Sequence, residues 1–201
     1  MKLEKTDMEI LTMMVQNIHQ EYAMKQLADQ LQRPYVKVHG SIQRLVNNKI
    51  ITKTIRGKSH YCQIDYQNNV DVVSFVEAQR ARAFLKKNKG LQILLENIQN
   101  KLSFPNYSLI IFGSRANNTA RPNSDLDLAI ITSAEDQPQA EQVMNSISRI
   151  SSLKLHALEF TYHDLGEMLK AKELTVGKEL VKNHLIIHGC EPFYETIRLA
   201  Q

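Results

Sequence analysis

Apolar residues recur at three- and four-residue spacing through Met8, Leu11, Val15 and Ile18, which predicts an amphipathic helix from Thr6; Thr6 followed by Glu9 has the form of a capping box. A second helix is predicted over 22–31, with Leu27, Ala28 and Leu31 as its apolar stripe. Pro34 suits the first turn of a third, whose inward positions are Val38, Ile42 and Leu45. The period then shortens. Residues 50–55 and 61–64 read as strands, joined by a hairpin turn through Arg56, Gly57, Lys58 and Ser59. Helical rhythm returns over 68–89 with Val72, Phe75, Val76, Ala83 and Phe84, and with Arg80, Arg82, Lys86 and Lys87 between them. Asn88, Lys89 and Gly90 make a stop signal, and a further amphipathic helix over 91–102 ends before Pro105.

Residues 107–132, YSLIIFGSRANNTARPNSDLDLAIIT, have a different pattern. Two apolar, β-branched runs of strand length flank a polar loop, so strand, loop, strand is expected. Side chains alternate along a strand, which puts Asp125 and Asp127 on one face and Leu126 and Leu128 on the other. Two carboxylates about 7 Å apart on one strand repel each other unless a cation sits between them. Mg²⁺ suits that place, because it takes oxygen ligands and shares its shell between one or two carboxylates and substrate phosphates. Gly113 and Ser114 supply the complement, since a glycine at a strand end lets backbone N–H groups approach an anion. The competing reading is a plain hairpin carrying surface aspartates. Beyond it, a helix is predicted over 135–150 through Ala140, Val143, Met144 and Ile147, a third strand over 153–162, and helices over 164–170 and 175–187.

GSRA at 113–116 and SDLDL at 124–128 resemble the signature of the DNA polymerase beta-type nucleotidyltransferase superfamily, especially its minimal nucleotidyltransferase branch. The resemblance implies a mixed sheet with flanking helices, Mg²⁺ or Mn²⁺ held by Asp125 and Asp127, the Gly113–Ser114 turn on the phosphates, and a nucleoside triphosphate, ATP in the first instance, as substrate. HGCEPFYETI, from His188, is similar to the chain end of that branch and gives Gly189 and Tyr194 structural roles. Active relatives carry a third carboxylate on the strand after the helix, and here that strand reads SLKLHALEFTY. His156 lies near the expected position, and Glu159, in phase with Leu155 and Ala157, is the strand's only carboxylate; both are candidates to complete the site. Arg115 and Arg121 in the loop are candidates to neutralise phosphate charge, or are simply exposed.

Charge changes the reading of the first half. From Gln30 to Ile64 the chain carries Arg33, Lys37, Arg44, Lys49, Lys53, Arg56 and Lys58 and no acidic residue. Three helices and a hairpin make a winged helix-turn-helix, whose later helix enters the DNA major groove while other cations hold phosphates. Lys37, Ser41, Gln43, Arg44 and Asn47 are the candidates on the third helix, with Gln43 and Arg44 suited to base edges, and Arg56 and Lys58 are those at the wing tip. The competing reading is a solvated face of a dimerising or substrate-presenting domain.

Composition adds limits. Hydrophobic content of 43% and charged content of 23% are those of a globular chain, and a net charge of +4 suits phosphate-bearing partners. Cys62 and Cys190 form no zinc-site pattern. MKLEKTDMEI has no apolar signal core, and no run approaches the ~20 residues of a membrane span, so a cytoplasmic protein with no membrane partner is expected. The expected fold is α+β, with a winged helix-turn-helix at 1–66, a helical connector at 67–104 that can serve as a homodimer arm, and a small mixed-sheet nucleotidyltransferase domain at 105–201. The expected function is Mg²⁺-dependent transfer of a nucleoside monophosphate to an acceptor hydroxyl by an enzyme that binds duplex DNA. Antitoxin-like relatives make the protein of a neighbouring gene a candidate acceptor. The alternative is a transcription regulator whose second domain senses nucleotide without turnover.

Overall fold

The computed structural model describes residues 2–57, 59–117, 119–121 and 124–200. Two compact units, Met1–Val76 and Glu77–Gln201, divide the chain.

In the first unit, α1 (Lys5–Val15) starts one residue before the Thr6 cap read from the sequence. Asp7, not Glu9, reaches back to the helix entrance and accepts the Glu4 N–H at 2.9 Å. Glu9 is instead drawn to Arg33, whose Nε and Nη2 donate to it at 2.9 and 2.6 Å. Residues 22 and 23, predicted as helix, form β1 (Tyr22–Ala23), because β3 (Ser59–Ile64) offers its free edge and pairs Tyr22 with Cys62. Next come α2 (Met24–Gln30) and α3 (Tyr35–Asn47), and β2 (Ile51–Arg56) completes an antiparallel sheet of order β1-β3-β2. Val38, Ile42 and Leu45 face inward from α3 and are wholly buried, which removes apolar surface from water at the centre of the unit. Cys62 is buried in the same core, and burial pushes its thiol up to about 11, so it stays protonated at neutral pH.

α4 (Val70–Lys87) crosses the division between the units and α5 (Lys89–Lys101) follows after Asn88. The second unit has four strands: β4 (Tyr107–Phe112), β5 (Leu126–Thr132), β6 (Leu155–Thr161) and β7 (His184–His188), in the order β6-β5-β4-β7. β5 and β6 are parallel and the other pairs antiparallel, giving a mixed sheet. α7 (Gln137–Ile150) makes the crossover between the parallel strands. It packs with Leu91, Leu95 and Ile98 of α5 on the sheet face formed by Leu109, Ile111, Leu126, Leu128 and Ile130. α8 (Tyr162–Lys170) and α10 (Cys190–Leu199) contact the sheet through β4, β5 and β6, and α9 (Val176–Lys182) packs on α8.

The helix predicted over 175–187 breaks in two. Its second half is β7, whose Leu185 and Ile186 pair with Ile111 and Ile110 of β4. A short apolar run has no periodicity that separates strand from buried helix, and here the open edge of β4 decides. Gly189 follows at φ +70°, a left-handed backbone in which a Cβ would collide with the Tyr107 carbonyl, so only glycine lets the chain turn there. No helix among the described residues is long and apolar enough to cross a membrane.

Candidate active site

β4 ends at Phe112, and the chain turns at Gly113 with φ +67° into the single helical turn α6 (Gly113–Ala116). Phe112 is paired with Asp127 on β5, so the turn and the aspartate lie side by side. A Cβ at Gly113 would strike Asp127 Oδ2 and push the carboxylate aside, so glycine suits both the left-handed backbone and the room it leaves the carboxylate. Leu126 and Leu128 are buried in the α5/α7 face of the sheet, which directs Asp127 to the opposite face by alternation. Asp125 precedes the strand.

Each carboxylate has a cationic or imidazole neighbour from the start of the third strand. Lys154 Nζ donates to Asp125 Oδ2 at 2.7 Å, and His156 Nδ1 is 3.1 Å from Asp127 Oδ1. Parallel pairing of Asp127 with His156 sets the second contact, and the Leu126 N–H bonded to the Lys154 carbonyl at 2.9 Å sets the first. Asp125 pushes the Lys154 ammonium up through its hydrogen bond and charge. Lys154 was not singled out by pattern; what reveals it is register, two residues before His156 on the neighbouring strand.

The structure separates the two candidates for the third position. His156 joins Asp127, whereas Glu159 is paired with Ile130 and shares the face of Leu155 and Ala157, with α7 above it. Burial pushes the Glu159 carboxyl up, and Glu141 of α7 adds to the rise. As a third ligand beside Asp125 and Asp127, Glu159 is on the wrong side of the sheet. Arg115 lies beside the site but holds the loop: its Nε donates to the Asp125 carbonyl at 3.2 Å and its Nη2 to the Ser124 carbonyl at 2.6 Å. Arg121 is exposed, and its backbone N–H donates to Ser124 Oγ at 2.9 Å.

On α3, Lys37 and Asn47 are exposed and Gln43 is half-buried. Ser41 needs correction, and Arg44, though exposed, carries ion pairs. Ser41 is 1% exposed, because it falls at helical spacing in the inward stripe of Val38, Ile42 and Leu45. Arg44 turns its Nη2 to Ser41 Oγ at 3.0 Å, to buried Asp7 at 2.9 Å and to Glu4 at 2.8 Å, so its guanidinium tethers α3 to α1. Arg56 forks onto Glu21 at 2.6 and 2.9 Å and lies 5.5 Å from the Tyr61 ring. Lys58 lies outside the described residues. The acid-free stretch is thus partly neutralised by acids that precede it, a pairing at sequence distances no local pattern reports.

Residues 96–186 match the family model described as Polymerase beta, Nucleotidyltransferase, which supports the nucleotidyltransferase superfamily for this part of the chain and nucleotidyl transfer as its general reaction. The mixed sheet and its helices fit such a domain. Residues 2–68 match a second family model, described only as HVO_A0114. No curated protein and no solved structure matches the chain.

Proposed function

We propose that the second unit, residues 77–201, transfers a nucleoside monophosphate from a nucleoside triphosphate, ATP in the first instance, to an acceptor hydroxyl, and that the first unit, residues 1–76, holds a winged helix that carries it to duplex DNA. The observation that carries the first half is the convergence of Asp125, Asp127, the Gly113–Ser114 turn and His156 at one end of the strands. No group of three or more His, Cys, Asp or Glu among the described residues would hold a metal unaided. Two aspartates fit instead a Mg²⁺ or Mn²⁺ ion whose remaining ligands are water and substrate phosphates. Bound with the triphosphate, the ion would stabilise charge on the α-phosphate and on departing pyrophosphate. Asp125 and Asp127 would hold the metal, and the glycine turn would give phosphate oxygens close access to backbone N–H groups. His156, 60% exposed at its side chain, takes the proton of the acceptor hydroxyl as that oxygen bonds to the α-phosphorus and pyrophosphate leaves.

Transfer of label from an α-³²P triphosphate tests this, with the protein of a neighbouring gene supplied as acceptor in a cytoplasmic setting. Label is expected in the wild type and about a hundredfold less in His156→Ala with triphosphate binding kept, the scale of a lost general base. Binding without transfer to any acceptor would favour the second reading, a nucleotide-sensing regulator. The position of Glu159 on the far face, which leaves two carboxylates at the site, supports that reading.

For DNA, support comes from the exposed Lys37 and Asn47 and the half-buried Gln43 on α3; Arg56, at the end of β2, would have to leave Glu21 to reach a phosphate. In a mobility-shift titration of the full chain, affinity should fall steeply with salt, and Lys37→Ala should weaken binding on every sequence and reduce the salt slope by about 1. Binding that ignores salt, or none, refutes the DNA half without touching the enzyme half.

A further inference from the structure

The geometry points to Lys154 as a triphosphate ligand that moves from Asp125 to a phosphate when nucleotide arrives, so that the site takes up the divalent ion together with the triphosphate and resists the bare ion. This rests on the nucleotidyl-transfer reading above. The backbone of Lys154 is fixed beside the site by the bond between its carbonyl and the Leu126 N–H at 2.9 Å. Its side chain is not: the ammonium, 2.7 Å from Asp125 Oδ2, sits on a side chain 81% exposed, against 38% for Asp125. An ion pair so exposed contributes little to stability, and a four-carbon stem with three rotatable donors exchanges partners easily.

Charge decides what that exchange favours. Asp125 is already paired with an ammonium and Asp127 already hydrogen-bonded to His156. A bare divalent ion must evict the ammonium from Asp125 and offers it no anion in return. A metal triphosphate brings the anion with it, and the ammonium passes from carboxylate to phosphate without losing its partner. Arg115 is poorly placed for the same exchange, because its guanidinium holds the carbonyls of Ser124 and Asp125, and moving it would release the loop that presents the aspartates.

Two titrations on the full chain test the exchange: Mn²⁺ alone, followed by the loss of its free-ion paramagnetic signal, and the α,β-methylene analogue of ATP with Mg²⁺, followed by calorimetry. Lys154→Met is expected to bind bare Mn²⁺ about fivefold tighter, because a competing unit charge a few ångström away is gone. It is expected to bind the Mg²⁺ analogue about tenfold more weakly, for want of a charged hydrogen bond. Both changes are required, and the absence of either in a variant with a wild-type melting profile overturns the assignment. A wild type that fails to bind the analogue at all overturns the nucleotidyl-transfer reading itself, and Lys154 falls with it; a wild type that binds while Lys154→Met matches it removes Lys154 alone.

Discussion

Asp127→Asn is expected to lower metal-dependent triphosphate affinity by at least about a hundredfold while the protein remains folded. Groups that merely support a metal ligand cost roughly ten- to a hundredfold when removed, so a direct ligand in a site with two carboxylates, the role proposed for Asp127, sets a higher floor. Asp127 should outweigh Asp125 because it lies on β5 itself, 23% exposed at its side chain, with the Gly113 backbone against its carboxylate. Asp125 stands before the strand and is more open. Removing one of two neighbouring carboxylates also relieves repulsion, so the melting temperature should hold or rise. Calorimetry with the α,β-methylene analogue and Mg²⁺ measures the affinity, and differential scanning calorimetry the fold. Unchanged affinity in Asp127→Asn and in Asp125→Asn would place triphosphate binding elsewhere on the chain.

The parts of this site that could be read from the sequence are those carried by adjacent residues. The Gly113–Ser114 pair, the alternation of Asp125 and Asp127 with Leu126 and Leu128, and the strand length of the flanking runs are all local, and local spacing fixes which side chains share a face. What could not be read depends on pairing between distant segments. Nothing within SLKLHALEFTY says whether His156 or Glu159 meets the aspartates; the parallel register of β6 against β5 decides, and it also delivers Lys154. Ser41 was misread for the same reason, and the ion pairs of Arg44 could not be seen. On a helical wheel an arginine and a serine look like a polar face, yet α1 brings Asp7 against them, and the arginine satisfies a carboxylate that burial would otherwise penalise.

The predicted elements failed where a distant strand offers an open edge. Tyr22 and Ala23 follow the helix pattern but are taken by the edge of β3, and Leu185 and Ile186 are taken by β4. In each case backbone hydrogen bonds to a distant strand outweigh a weak local preference. α5 gave its amphipathic stripe plainly, but the stripe does not say what it will cover; in the structure Leu91, Leu95 and Ile98 lie in the core of the second unit. The same limit applies to Glu77 and Arg80. Arg80 stands between the apolar positions of the helix predicted over 68–89, and nothing local marks its partner; in the structure Glu77 and Arg80 are 1% and 9% exposed.

Glu77→Gln is expected to destabilise the protein by about 3 kcal/mol at pH 7, the scale for breaking a buried pair on one side. Arg80 Nη1 donates to both Glu77 oxygens at 2.7 and 2.8 Å, and its Nη2 donates to the His184 carbonyl at 3.0 Å. Tyr194 Oη donates to Glu77 at 3.3 Å, and His184 Nε2 is 3.3 Å from the same carboxylate. Glutamine removes the charge and leaves the guanidinium buried with two carbonyl-type acceptors in place of a carboxylate. His184 stands opposite Phe112 in the sheet, and Phe112 is one residue before the Gly113 turn of the candidate site. Burial opposes ionisation of Glu77, but Arg80 and then His184 overcome it and hold the carboxyl below its ordinary value of 4.5. A lowered carboxylate pKa contributes stability that is full above the unfolded value and lost as pH falls through the folded one. The gap between wild type and Glu77→Gln should therefore stay constant from pH 7 down to about 4.5 and narrow below it. Urea unfolding of both proteins at pH 7, 5 and 3.5 measures this, and a gap that widens in acid would show that Glu77 is neutral in the folded protein.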